Sequence, residues 1–499
     1  MNTYYFTEEH EMFRESLRSF LNKEVMPNIE QWEEDQRIPR DIWKKMGDLG
    51  FLGLGYPAEY GGMNLDFFYD VIFCEETSRM FSGGFTISQL VVQYMSGPYL
   101  IKHGSEQLKK KYLPGIISGD LISCIGISEP GAGSDVANIQ TNAVKEGDHY
   151  IVNGSKTFIT NAFYGDFVVA VVKTDPKAGP SGVSLLVIDL DSPGITKTKL
   201  KKLGWHASDT AELAFDNVKV PVENLLGEEG QGFYYLMGGL QLERLAGAIS
   251  AYAACESALE YTLQYMSERS AFGRPINKFQ VLRHRIAQLA SEIECTKQFI
   301  LYCARLHSDK KYAVKECSMA KMLATELSDK VMTQCLQCFG GYGFMEEYKI
   351  ARMFRDSRVG TIGGGTSEIM KEIIAKMIID DVNYSSAAER QSEATSPEPK
   401  VIDFQKMLGN IQNNAASKKA IGKTLKFDFG DKHLYLDGTG ETNIVSDENR
   451  DADCLVEVSL EDFVALTKGQ LEPMSAMMSG KIKIKGDLSV AMKLQTIFG

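Results

Sequence analysis

The chain has 499 residues, 44% of them apolar and 24% charged, with a formal net charge of −12. That length is on the order of three ordinary domains with ample material for a core. The acidic balance argues against a nucleic-acid surface and against simple adsorption on anionic lipid, and no apolar run reaches the roughly eighteen residues a membrane span needs.

The N-terminal stretch MNTYYFTEEHEMFRESLRSFLNKEV is acidic and lacks a continuous apolar segment, so neither a secretory signal nor a transit peptide is expected. The 9 cysteines are scattered, which suits reduced thiols and a cytoplasmic setting. Helices are expected over residues 1–122, where FRESLRSFLNKEVMPNI, IPRDIWKKMGDLGFLGL and DVIFCEETSRMF space their apolar residues by three and four. Over 123–240 the texture changes to β-branched runs, LISCIGIS, YIVNGSKTFIT, DFVVAVVKT, VSLLVIDL and AELAFDNVKV, and predicts a compact β domain. Long helical patterns return over 241–382, ending in SEIMKEIIAKMIIDDV. The Ser-, Ala-, Glu- and Pro-rich segment 383–400 has the composition of a flexible linker. Residues 401–499 read as an α+β module, with the amphipathic helix FQKMLGNIQNNAASKKAIG and strands LKFDFGD, HLYLDGT, CLVEVS and KIKIKGD.

Five stretches carry chemistry. SEPGAGSD (Ser128 to Asp135) contains G-x-G, but more strand and turn follow it where a dinucleotide fold needs a crossover helix. Taken alone it is a turn whose backbone N–H groups can also face a pyrophosphate. In NGSKTFITN, the Asn153-Gly154 pair predicts a hairpin turn, with Phe158 and Thr160 on one face of the returning strand. In LQLERLAG, Glu243 sits near the start of a long apolar helix, either on a solvated face or desolvated enough to act as a general base. RSAFGRPINKFQ places Arg269 at a helix end, where it either meets phosphate or complements the dipole. TIGGGTSEI (Thr361 to Ile369) puts three glycines before a helix start, a place where backbone approaches a ligand closely. Cys335 and Cys338 form a lone C-x-x-C on a helical stretch, read as structural thiols and not a metal site.

In this order, ISEPGAGSD, NGSKTFITN, ERSAFGRPINKFQ, QCFGGYGF and GGGTSEIMKEIIAKMI resemble the motifs of the acyl-CoA dehydrogenase family over Tyr5 to about Val382, most like its long-chain and isovaleryl branches. The resemblance implies an all-α N-terminal domain, a β-barrel middle domain and a four-helix-bundle C-terminal domain. It also implies non-covalent FAD, and a homodimer or homotetramer whose subunits share each flavin. By position, Ile125, Ile127, Ser128, Gly133 and Ser134 would line the flavin, with Ser134 also near the acyl-CoA. Phe158, Ile159 and Thr160 would meet the isoalloxazine ring, Phe158 standing where many members have Trp. Arg269, Phe272, Gln280, Gln337 and Gly341 match positions that hold the neighbouring subunit's FAD, and Thr366 and Glu368 sit where a helix start meets the cofactor.

The implied reaction converts acyl-CoA to trans-2-enoyl-CoA and passes electrons to an electron-transferring flavoprotein or similar carrier. Many members hold the base in a Tyr-Glu-Gly-Thr sequence, but this chain has Gly363-Gly364-Gly365-Thr366. The two branches it most resembles place the base in a helix, at a sequence that Leu242-Glu243-Arg244 matches. Glu243 is therefore expected as base, with Gln241, Arg244, Gly364 and Gly365 beside the substrate and the Gly365 N–H facing the thioester oxygen. The resemblance favours a medium to long acyl chain, while Gly363 keeps branched acyl groups in play. An acyl-CoA oxidase, or a lipid carrier with a vestigial dehydrogenase, are the other classes that fit. Residues 401–499 resemble a sterol carrier protein type 2 domain, which implies an apolar tunnel for lipid; Met474, Met477, Met478 and Met492 either line it or, as the more ordinary use of methionine, pack in the core.

Overall fold

The computed structural model describes residues 4–380, 382, 404–416, 418–467 and 482–486. It divides into two compact units, Met1–Gln391 and Ser392–Gly499.

The first unit opens with helices α1 (Glu8–Phe20), α2 (Ile29–Asp35), α3 (Arg40–Asp48), α4 (Phe67–Ser78), α5 (Gly83–Leu90), α6 (Gly97–His103) and α7 (Glu106–Ser118). Their starts are written in the sequence. Asp66, Ser82 and Ser105 each accept a hydrogen bond from a first-turn N–H, closing donors that the helix cannot close itself. Helix α4 is buried from Phe68 through Ser78 apart from Tyr69, so it forms the axis of this part.

A seven-stranded sheet follows: β1 (Ser123–Gly126), β2 (Asn142–Glu146), β3 (His149–Thr160), β4 (Phe167–Lys173), β5 (Val183–Asp189), β6 (Ile195–Lys199) and β7 (Thr210–Pro221). Its order is β1-β4-β2-β3-β7-β6, with β5 paired to β4. Strand β4, FVVAVVK, is buried at every residue, as an unbroken β-branched run covered on both faces should be.

The expected turn at Asn153-Gly154 is not there. The β2–β3 hairpin turns at Gly147-Asp148, and Asn153-Gly154 lies inside β3 at a register shift against β7. Gly154 adopts φ +142°, and a Cβ there would stand 2.6 Å from the Thr141 Cα. The glycine answers a bulge and a close crossing, which the same dipeptide signals as readily as a turn.

The third part is built on α8 (Gly232–Glu268), α9 (Gln280–Ser308), α10 (Val314–Phe339), α11 (Lys349–Ser357) and α12 (Ser367–Ile378). A short hairpin, β8 (Ser270–Ala271) and β9 (Arg274–Pro275), joins α8 to α9. Helix α8 begins at Gly232, within the stretch expected as β domain, because FYYLM runs straight into the helical pattern. Cys335 and Cys338 are buried one turn apart on α10 and pack into apolar clusters.

In the second unit, α13 (Phe404–Ala416) precedes a sheet ordered β12-β11-β10-β13-β14. The strands are β10 (Thr424–Asp428), β11 (His433–Asp437), β12 (Ile444–Ser446), β13 (Cys454–Val458) and β14 (Ile482–Gly486), with α14 (Leu460–Thr467) between the last two. Leu425, Phe427, Leu434, Leu436 and Val456 form its core. Strand β12 escaped the sequence pattern because three residues are too few to show alternation. The expected linker 383–400 and Met474, Met477, Met478 and Met492 lie outside the described residues.

Candidate active site

All three parts of the first unit wall one cavity of about 570 Å³. The first part contributes Ile87, Leu90, Val91 and Met95; the sheet contributes Ile125, Ile127, Ser128, Gly133 and Ser134 from β1 and its loop. The end of β3 adds Phe158, Ile159 and Thr160, and α8 adds Glu243, Arg244 and Gly247. Lys321 and Thr325 come from α10, and Gly363, Gly364 and Gly365 close the rim.

Glu243 is the cavity's buried carboxylate on α8, with 7% of its surface exposed. Burial pushes its pKa up to about 7, against the opposing pull of the Tyr99 hydroxyl and the Arg244 charge. Tyr99, on α6, donates to Glu243 Oε1 at 2.9 Å. Arg244 is also buried, which lowers its pKa, and its Nε has no hydrogen-bond partner. Lys321, brought down to about 8 mainly by burial, donates to the Gly365 carbonyl oxygen at 2.6 Å and fixes the glycine turn. Gly364 and Gly365 take φ +64° and +89°, a region that glycine enters without steric cost. A Cβ on Gly364 would meet nothing within 4 Å.

The opposite wall is braced from behind. Lys156 donates to Glu129 Oε1 at 2.7 Å and to the Ile127 carbonyl at 3.2 Å, and Glu129 accepts the Thr141 N–H at 3.0 Å. This buried pair ties the loop after β1 to the inner end of β3. Phe158 sits at a second register shift of β3 with φ 62° and 72% of its surface exposed. A bulky residue in that conformation is strained, and such strain concentrates where a ligand is gripped.

Other expected residues lie elsewhere. Arg269, Phe272, Gln280, Gln337 and Gly341 are all exposed and do not line the cavity. Phe272 shares the strained left-handed backbone of Phe158 at φ 52° and is 95% exposed, while Arg269 stacks over Tyr342. Thr366 caps α12 by accepting the Ile369 N–H at 3.2 Å, and Glu368 is exposed in the first turn. Gln241 does not reach the cavity. Two residues before Glu243 it faces another side of the helix, and its buried Oε1 accepts the Ala313 N–H at 2.9 Å. Tyr99 and Lys321 were missed by sequence reasoning. A single lysine in the apolar stretch CSMAKMLA was a usable signal for Lys321; Tyr99 had none.

A deep apolar cavity lined by two buried carboxylates of raised pKa, Glu243 and Asp356, with two buried cations and a glycine rim defines an acid–base site built around a large ligand; Asp356 is already engaged by the Gly83 and Trp205 N–H groups, which leaves Glu243 as the candidate base. The family models for the acyl-CoA dehydrogenase N-terminal, middle and C-terminal domains match residues 7–120, 124–218 and 230–379, and that of the SCP-2 sterol transfer family matches 404–499. The mitochondrial long-chain specific acyl-CoA dehydrogenase of Sus scrofa is 41% identical over 381 residues, 75% of this chain and 88% of the relative. An acyl-CoA dehydrogenase structure from Geobacillus kaustophilus superposes with a TM-score of 0.74 at 47% identity, covering 75% of this chain and 99% of that one. A glutaryl-CoA dehydrogenase from Mycobacterium smegmatis in complex with FADH2 gives 0.72 at 26% identity, over 77% and 98%. The chain belongs to the acyl-CoA dehydrogenase family of FAD-dependent oxidoreductases, and carries an SCP-2 domain behind it.

The residues present fit a flavin. Apolar walls at Ile125, Ile127 and Ile159 suit a flat ring, and Cβ atoms at Gly131 and Gly133 would meet nothing within 4 Å, leaving the loop backbone open to approach.

Proposed function

We propose that the chain dehydrogenates acyl-CoA thioesters of medium to long chain length at the α,β bond, with Glu243 as the base. The observation that carries this reading is the placement of Glu243, a buried carboxylate with its pKa near 7, in the same cavity as the Gly364-Gly365 backbone. A C–H beside a thioester is a weak acid, so its removal needs a base poised near neutrality and donors for the enolate-like oxygen. Glu243 takes the α-proton onto its carboxylate. The Gly365 N–H, in a turn that Lys321 holds by its carbonyl, supports the thioester oxygen. Arg244, whose Nε is unpartnered, supplies positive charge beside the base. FAD, when bound, supplies the hydride acceptor. Ile125, Ile127, Ser128, Gly133, Ser134, Phe158, Ile159 and Thr160 would hold its ring system, with Thr366 and Glu368 at the helix start.

Arg269, Phe272, Gln280, Gln337 and Gly341 are all exposed. They fit a homodimer or homotetramer in which each copy completes its neighbour's FAD site. A branched acyl group is the second reading, favoured by Gly363, where a Cβ would come no closer than 3.6 Å to any heavy atom. An electron-transferring flavoprotein is the proposed acceptor, and the free thiols, mostly buried, fit a cytoplasmic setting. The SCP-2 domain is proposed to bind lipid or acyl-CoA.

Glu243→Gln tests the base. Anaerobic addition of acyl-CoA is expected to leave the flavin absorbance unbleached, while the protein keeps its FAD. A fully active Glu243→Gln enzyme overturns the assignment. A panel from butyryl through palmitoyl to isovaleryl thioesters ranks the substrates by the same bleaching.

A further inference from the structure

Resting on Glu243 as base, we propose that Tyr99 is the positioning residue of that base: it donates to the carboxylate while that is charged and accepts a hydrogen bond from the carboxylic O–H after transfer. The Tyr99 hydroxyl lies 2.9 Å from Glu243 Oε1 and 3.3 Å from the Leu236 carbonyl oxygen. A phenol has one proton and donates to one of the two at a time. While Glu243 is ionised, the carboxylate is the stronger acceptor and takes that proton's hydrogen bond. Once Glu243 has received the α-proton, its new O–H is buried and needs an acceptor of its own. The phenol meets that need by turning its hydrogen to the Leu236 carbonyl and offering its oxygen. One proton leaves the α-carbon and arrives on Glu243; Tyr99 keeps its own throughout and only rotates about its C–O bond.

A second observation comes from α8 itself. Gly239 stands one turn before Glu243, and a Cβ there would lie 2.2 Å from the Tyr99 hydroxyl oxygen and 2.5 Å from the adjoining ring carbon. Glycine weakens a helix interior, and here its missing side chain leaves the gap through which the phenol reaches the base. Tyr99 is 2% exposed and Glu243 7% exposed, so bulk water does not substitute for the bond. The other charged group that acts on the pair is Arg244 on α8, which in turn faces Lys321 and Cys317 on α10 and Tyr312 just before α10. All of them stay in place in the variants below.

Tyr99→Phe keeps the ring and removes the hydroxyl. Two readouts follow it across the neutral pH range in the FAD-loaded full chain: exchange of the α-hydrogen of a saturated acyl-CoA with D2O, and anaerobic bleaching of the flavin. The ionised base loses its donor while its burial remains, so the acid limb of both profiles is expected to move up by about one pH unit. The rate falls at neutral pH and recovers on the alkaline side, KM changes little, and FAD stays bound. Gly239→Ala, which displaces the phenol without altering it, is expected to shift the limb the same way. A Tyr99→Phe limb at the wild-type position, or a rate loss equal at every pH, overturns the proposal. If Glu243→Gln is inactive while the Tyr99→Phe limb stays put, only the role of Tyr99 falls; if Glu243→Gln stays active, the base assignment falls and takes Tyr99's role with it.

Discussion

Glu243 owes its chemistry to where α8 leaves it. Burial pushes the pKa of its carboxyl up to about 7, against the opposing pull of the Tyr99 hydroxyl and the Arg244 charge. A base works only when ionised, so kcat/KM is expected to fall as pH drops through about 7 and to level off above it. A pH–rate profile that stays flat well below neutrality would show that another group accepts the proton. How much of this was legible differs residue by residue. From local pattern alone Glu243 had a bland and a catalytic reading, and only the resemblance of Leu242-Glu243-Arg244, set against the missing carboxylate at Gly364, chose between them. Tyr99 was illegible for a plain reason: its partner lies 144 residues away, and a contact made by two helices packing leaves no trace in either segment's spacing. Gln241 was placed beside the substrate by its neighbourhood in the sequence, but a shift of two residues on a helix points a side chain elsewhere.

At the scale of elements, local rules did most of the work. Strand β4 was read from its β-branched run and the helices from their apolar spacing, whereas the capping side chains that start α4, α5 and α7 came from the structure. The rule that failed was the hairpin signal at Asn153-Gly154, because a bulge and a turn ask the same backbone freedom of glycine. The start of α12 gives Thr366 a structural role beside the one proposed for it at the cofactor. Thr366 closes a first-turn donor of α12 with its side chain, so Thr366→Ala is expected to cost about 1 kcal/mol of stability in chemical denaturation. Thr366→Ser is expected to restore it. If Thr366→Ala is as stable as wild type, the capping bond contributes nothing and the residue's value lies with the cofactor alone.

At the scale of the molecule, two compact units stand in series. If the SCP-2 unit binds acyl-CoA as proposed, its place on the same chain as the active site makes their encounter intramolecular and raises the local concentration of substrate. Removal of residues 384–499 is therefore expected to raise KM for long-chain thioesters and leave butyryl-CoA unaffected. An unchanged long-chain KM in steady-state assays would separate the second unit from substrate supply. The order of the parts was readable from composition and periodicity; how they meet was not, since the walls of the cavity come from helix, strand and helix far apart in sequence. That construction has one more consequence. A ligand lodged where three parts of the chain converge acts as a keystone, binding the folded form and having no site on the unfolded one. Stripping FAD is therefore expected to lower the midpoint of thermal unfolding, and the fading of the yellow colour on storage to run ahead of the loss of tertiary structure.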